Sequence, residues 1–135
     1  KVVTIQFFPN SFDLYKKIIV NEGQGDVERL YDPNVDLVLE EIGKLAGQYG
    51  AARIVIEGHT DASMRGQVPD SMVKELSGNR ANAVKEALVK KFPSLDPMQF
   101  SVEGLGWDVP ADPSNPMDHA ANRRVEVKVF PLEAL

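Results

Sequence analysis

The 135-residue chain has no cysteine, which excludes disulfides, thiolate metal sites and cysteine nucleophiles together. It also lacks any apolar run near the roughly 18 residues that a membrane-spanning helix needs. No secretory leader is visible. The chain starts at Lys1 and enters VVTIQFF directly, so it reads as a fragment or processed piece, and the missing leader is no evidence for a cytoplasmic home. Excess positive charge is absent too: 15 Lys and Arg against 20 Asp and Glu leave a net −5. A nucleic-acid binder needs a basic surface to displace counterions from phosphates, and an anionic membrane surface disfavours a chain of this sign. Neither nucleic acid nor direct membrane contact is therefore expected.

What remains is ordinary for a globular protein, 43% apolar and 26% charged residues. The length suits one domain, residues 1–135, with a core of its own. Lys1 to Phe8 is rich in β-branched and aromatic residues and reads as a strand, broken by Pro9-Asn10-Ser11. From Phe12 to Asp32 no period is clear, and Asn21 to Asp26 reads as an exposed loop. Pro33-Asn34 introduces a helix carried by Val35, Leu37, Val38, Ile42 and Leu45, stopping between Gly47 and Gly50. Ala51 to Glu57 is a short apolar run between glycines, the pattern of a buried strand. After a loop over 62–70, a second helix starts with Asp70 or Ser71 as N-cap and ends before Pro93. Met98 to Glu103 is a third strand, and residues 108 to 121, with three prolines, are loop. Arg124 to Phe130 alternates cleanly, Val125, Val127 and Val129 against a wet face of Arg124, Glu126 and Lys128. The order β-α-β-α-β-β implies an α+β sandwich, helices packed on a mixed four-stranded sheet.

The second helix carries an anomaly. With Leu76 at zero and 100° per residue, Val73, Val84, Ala83 and Ala87 span about −20° to 80°, and Arg80 falls at about 40°, inside that apolar stripe. A buried unpaired guanidinium is very costly. Arg80 therefore needs an acid, a ligand carboxylate, or a route to water along its own stem. Asp61 follows the apolar strand 51–57 directly, and ligand sites often form at strand ends. One anion and one cation at a common cleft can hold a zwitterion, carboxylate to ammonium and guanidinium to carboxylate. A plain Asp61–Arg80 salt bridge fits the sequence equally well.

His59 and Asp61 could ligate zinc, but zinc wants three or four ligands, and the other histidine, His119, lies sixty residues on. No metal and no cofactor are expected, and His59 is expected to stiffen the loop by hydrogen bonding. Catalysis finds little support: Ser63, Ser71 and Ser77 lack a glycine elbow, and Gly104-Leu105-Gly106 lacks the third glycine of a dinucleotide loop. Trp107 is expected to pack against its turn rather than to stack on a sugar. Arg123 and Arg124, as strand neighbours, point to opposite faces.

Four stretches coincide with one pattern. GHTD at 58–61, LSGNRANAV at 76–84, GLG at 104–106 and NRRVEV at 122–127 resemble, in order and spacing, the OmpA-like C-terminal domain of bacterial envelope proteins. The resemblance covers most of the chain. It implies non-covalent binding of peptidoglycan stem peptides through their diaminopimelate residue, with Asp61 and Arg80 on its zwitterionic end. It further implies contacts from Thr60, from Pro9 and Asn10 after the first strand, and from one arginine of NRR, for which Arg124 is favoured over Arg123. A periplasmic location in a wall-anchored envelope protein follows from the same likeness. Val73 stands where the family carries asparagine, and the segments Met64 to Asp70 and Tyr15 to Asp32 are longer than usual. One pocket hydrogen bond is thus expected to be missing and the cleft reshaped. The rival readings are an OmpA-like interaction domain without wall binding, motivated by Val73, and a metal-dependent hydrolase built on His59 and Asp61.

Overall fold

A period of two buries Val3 and Ile5 while Val2 and Thr4 stay exposed, and this makes Val2–Gln6 the first strand, β1. The computed structural model describes residues 2–48 and 52–131; Lys1, Gly50 and Ala51, included in the expectations above, lie outside them. Two short strands follow, β2 (Lys17–Asn21) and β3 (Asp26–Leu30), paired antiparallel into a hairpin of their own. They fill the stretch that showed no period, and the loop expected over 21–26 narrows to a turn over 22–25, since Asn21 and Asp26 pair as the last and first residues of the two strands.

Helix α1 (Val35–Gln48) buries Val35, Leu39, Ile42 and Ala46, spaced four, three and four residues apart. Its start is tied to β1 by Asp32, whose carboxylate accepts from the Gln6 and Asn34 backbone N–H groups at 2.9 Å each. Strand β4 (Ala52–Gly58) buries Ala52, Ile54 and Ile56 on the same side. Helix α2 (Asp70–Lys91) then crosses back to β5 (Phe100–Gly104), which runs parallel to β4. Pro69 occupies the N-cap of α2 without any side-chain cap, so the capping expected of Asp70 or Ser71 is corrected: Asp70 is already in the first turn. The loop expected over 108–121 ends in a short helix, α3 (His119–Asn122), capped by the Asp118 carboxylate. The last strand, β6 (Arg124–Pro131), pairs antiparallel with both β1 and β4.

The main sheet therefore has the order β1-β6-β4-β5, mixed and four-stranded, with α1 and α2 packed on one face. The expected architecture is the observed one, with the β2–β3 hairpin added. Val125, Val127 and Val129 enter the core with the apolar positions of both helices. The opposite face of β6 is drier than expected. Glu126 and Lys128 are half-buried in ion pairs with Arg124 and Glu57, and Arg124 is buried outright.

Two glycines set the distance between α2 and the sheet. Gly58 and Gly104 sit side by side on β4 and β5. A Cβ on Gly58 would stand 1.8 Å from the Ser77 carbonyl oxygen, and one on Gly104 would stand 2.5 Å from backbone of α2. The helix lies directly on these bare positions. Ser77 completes the joint, its hydroxyl donating to Lys74 O and accepting from Gly106 N–H, both at 2.9 Å.

Candidate functional site

The glycine joint fixes the end of β4, where GHTD leaves the sheet. Three backbone hydrogen bonds lock it: His59 N–H to Arg124 O, Thr60 N–H to Gly106 O, and Leu105 N–H to Gly58 O, at 2.8 to 2.9 Å. Asp61 then emerges beside a cavity of about 460 Å³. Thr60, Asp61, Arg80, Arg123, Pro9 and Asn10 line it, with Met64, Val68, Met72, Val73 and Leu76 forming an apolar wall.

Arg80 is 1% exposed, so it does not reach for water along its stem. Nor does it bond directly to Asp61. Its fork binds three backbone carbonyls: Nε to Ser11 O and one terminal nitrogen to His59 O, both at 2.8 Å, and the other to Phe8 O at 3.2 Å. Its guanidinium carbon lies 5.5 Å from the centre of the Phe7 ring. Phe8 to Ser11 is a tight turn, closed by Ser11 N–H to Phe8 O, with Pro9 second and Asn10 third at φ 53°. Such a turn favours proline then asparagine or glycine. Arg80 grips both ends of that turn and the end of β4, so it assembles the cavity rim. Burial, and then the charge of Arg123, lower its pKa to about 10 against the opposing pull of Asp61 and Tyr31. The side chain remains a cation at neutral pH, and two of its five N–H groups are not used by these bonds.

Asp61 is paired with Arg123, Oδ2 to a terminal nitrogen at 3.1 Å, each side chain 13% exposed. Its other oxygen accepts from the Ser63 backbone N–H at 2.9 Å and from the Ser63 hydroxyl at 2.5 Å. Burial pushes the Asp61 carboxyl up, but the two Ser63 bonds and Arg123 outweigh it, and the carboxyl sits below its ordinary 3.8. Arg123 also donates to Phe7 O and to the Tyr31 hydroxyl at 3.1 Å each. Burial lowers its pKa, and the bonds to Tyr31 and Asp61 more than reverse that. Tyr31 follows β3 directly, so the unexpected hairpin delivers one residue to the site.

Arg124, favoured from the sequence, is therefore corrected. It points to the far face of the sheet, where it meets Glu126 at 2.5 Å, Val109 O at 3.2 Å and Asn122 O at 3.4 Å. The reason is strand parity: Val125 faces the helices, so Arg124 cannot. His59 does stiffen the loop by hydrogen bonding, but through its backbone N–H and carbonyl rather than its ring. Both of its ring nitrogens are buried without a protein partner. Burial, then Arg124, lowers its pKa to about 4. Among the described residues, Glu57, His59 and Glu126 have donor atoms within 4.8 Å of one another, but each carboxylate already holds a cation. The surroundings of His59 are these far-face groups, and those of Asp61 are Ser63 and Arg123. Trp107 is half-buried at its turn, with the Arg65 guanidinium 5.4 Å from a ring centre. Of the apolar wall, Met64 and Val68 had no signal in the sequence beyond the extra length of the segment Met64 to Asp70, and Met72, in the first turn of α2, had none.

Residues 25–124 match the sequence profile of the OmpA family. Outer membrane protein Omp38 of Acinetobacter baumannii is 33% identical over 110 residues, which is 81% of this chain and 28% of Omp38. The chain thus spans under a third of that relative's length. In solved structures, the peptidoglycan-associated lipoprotein of Burkholderia pseudomallei superposes with a TM-score of 0.63 at 19% identity, over 93% of this chain and 88% of that one. The cell wall anchor of the T6SS from Pseudomonas aeruginosa gives 0.59 at 23% identity, over 97% and 81%. Both share the fold described above, and the profile covers well over half of the residues. The chain belongs to the OmpA family.

Proposed function

We propose that this protein binds peptidoglycan non-covalently, taking the diaminopimelate residue of a stem peptide into the cavity at Asp61. The observation that carries the reading is the lining of one open cavity by a carboxylate, two guanidinium groups and an apolar wall. Diaminopimelate is an aliphatic chain ending in an ammonium and a carboxylate. The chain lies against Met64, Val68, Met72 and Val73, Asp61 receives the ammonium, and the free N–H groups of Arg80 and Arg123 receive the carboxylate. The Thr60 hydroxyl, buried and without a protein partner, supplies a further hydrogen bond, and Asn10 closes the rim. Val73 contributes surface where asparagine would contribute a polar bond.

The names of the structural neighbours, a peptidoglycan-associated lipoprotein and a cell wall anchor, support the same reading. So does the match to part of a longer outer membrane protein. In this view the chain is the wall-binding portion of an envelope protein and works in the periplasm. A single site built from a few charge-assisted hydrogen bonds, less the cost of ordering a flexible peptide, has a Kd of about micromolar to millimolar. Repetition of the ligand along the wall then raises avidity.

Asp61→Asn keeps the size and an acceptor for Ser63 while removing the charge. It should weaken binding to purified sacculi by about 10- to 150-fold, one charge-assisted hydrogen bond, with the circular dichroism spectrum unchanged. A variant that sediments with sacculi like the parent overturns the reading. So does a parent that gives no heat in calorimetry with a diaminopimelate-containing tripeptide.

A further inference from the structure

A second cavity, of about 970 Å³, opens along α2 beside the first. Asn10 stands in the walls of both. One side of this groove is the stretch Ser11 to Tyr15, and the other is the stripe Asn79, Asn82, Glu86 and Lys90 of α2, a spacing that keeps one helix face. Phe12 and Tyr15 are 53% and 43% exposed. The Tyr15 hydroxyl donates to Asp36 Oδ1 at 2.9 Å, which fixes the ring from its far end. The groove's start is rigid as well, because Arg80 holds the Phe8–Ser11 turn from below.

We propose that this groove is a sugar subsite: it holds the glycan residue from which the stem peptide hangs. The proposal rests on the reading of the first cavity given above. Its first support is chain length. Two residues separate diaminopimelate from the sugar, and at about 3.3–3.6 Å per residue the sugar reaches into a groove that begins at the cavity's own rim. The second is chemistry. A sugar ring offers C–H faces to exposed aromatic rings, and its hydroxyl and acetamido groups match amide side chains that both donate and accept. Asn79, Asn82 and Asn10 supply three such amides. The third is charge. The groove carries Asp13 and Glu86 against Lys90, a net charge of −1 that disfavours an acidic peptide and leaves a neutral sugar unaffected.

The test compares two probes by calorimetry: a disaccharide carrying a diaminopimelate tripeptide, and the same tripeptide free. The parent should bind the sugar-bearing probe about tenfold tighter, the equivalent of one or two neutral hydrogen bonds. Asn82→Ala and Phe12→Ala, both at exposed positions, should lose that margin and bind the free tripeptide within about twofold of the parent, which one lost groove contact leaves untouched. Equal binding of both probes by the parent, or a margin that survives in both variants, overturns the sugar subsite and leaves the first cavity's assignment standing. Variants that weaken both probes equally place peptide in the groove and overturn it as well. If neither probe binds the parent, both assignments fall together.

Discussion

Arg80 shows how much one side chain can organise. A lysine at 80 would keep the charge but lose the planar fork, and with it the simultaneous hold on Ser11, His59 and Phe8. Arg80→Lys should therefore lower stability by about 1–3 kcal/mol, one or two hydrogen bonds from a charged donor, measured by urea denaturation. It should also reduce sacculus binding, because the turn carrying Pro9 and Asn10 loosens. A variant as stable as the parent would show that the fork is dispensable. The anomaly at Arg80 was legible from helical spacing; its partners were not. Sequence spacing identifies acids as partners for a cation and has no means of finding backbone carbonyls 69 and 72 residues away. Arg123 was more accessible. Once Val125, Val127 and Val129 are assigned to the core, the parity of a strand puts Arg123 on their side and Arg124 on the other, and the structure follows that parity.

At the scale of elements, the same contrast holds for the second helix. The apolar stripe from Val73 to Ala87 was real, but the residues that α2 buries are Val73, Ser77, Arg80, Ala81, Val84 and Leu88. Their centre lies at about 90° on the wheel, against about 30° for the stripe. Leu76 and Ala83 are turned toward the two cavities instead, and Ala87 borders both the second cavity and the core. Apolar residues facing a cavity and apolar residues facing a core look identical in sequence. Arg80, at about 40°, stands on the border between the two, which is why it can be buried and still line the site. The hairpin β2–β3 escaped for another reason. Its residues are exposed or half-buried, so no buried set of every second residue betrays it. The glycine joint yields a sharp expectation. Gly58→Ala places a methyl group 1.8 Å from the Ser77 carbonyl, which forces α2 off β4. An overpacking cost of about 1–3 kcal/mol or more should appear in urea denaturation, together with weaker sacculus binding, since the end of β4 carries Thr60 and Asp61. Parental stability in this variant would mean that the helix has room to shift.

For the molecule as a whole, acid should weaken the fold before it discharges the site. His59 is buried beside Arg124 and Lys128, with Glu57 and Glu126 opposing them, and its folded pKa is about 4 against an ordinary 6.5. Between those values the unfolded chain takes up a proton that the folded chain refuses, so stability falls as pH drops from 6.5 to 4 and this contribution levels off below. The two values correspond to a loss on the order of 3 kcal/mol, a large share of the 5–15 kcal/mol that holds a typical domain together. Asp61 behaves differently. Its carboxyl is held below 3.8, against burial, by Ser63 and Arg123, so it remains predominantly ionised across the same window, and Arg80, at about 10, stays charged as well. Sacculus binding at low temperature should accordingly hold from pH 7 to about 4.5, while the urea midpoint falls steadily. His59→Gln, which cannot take up a proton, should flatten the fall in stability between pH 6.5 and 4 without changing binding at pH 7. Denaturation curves of parent and variant that decline in parallel over that range would show that some other group carries the acid sensitivity.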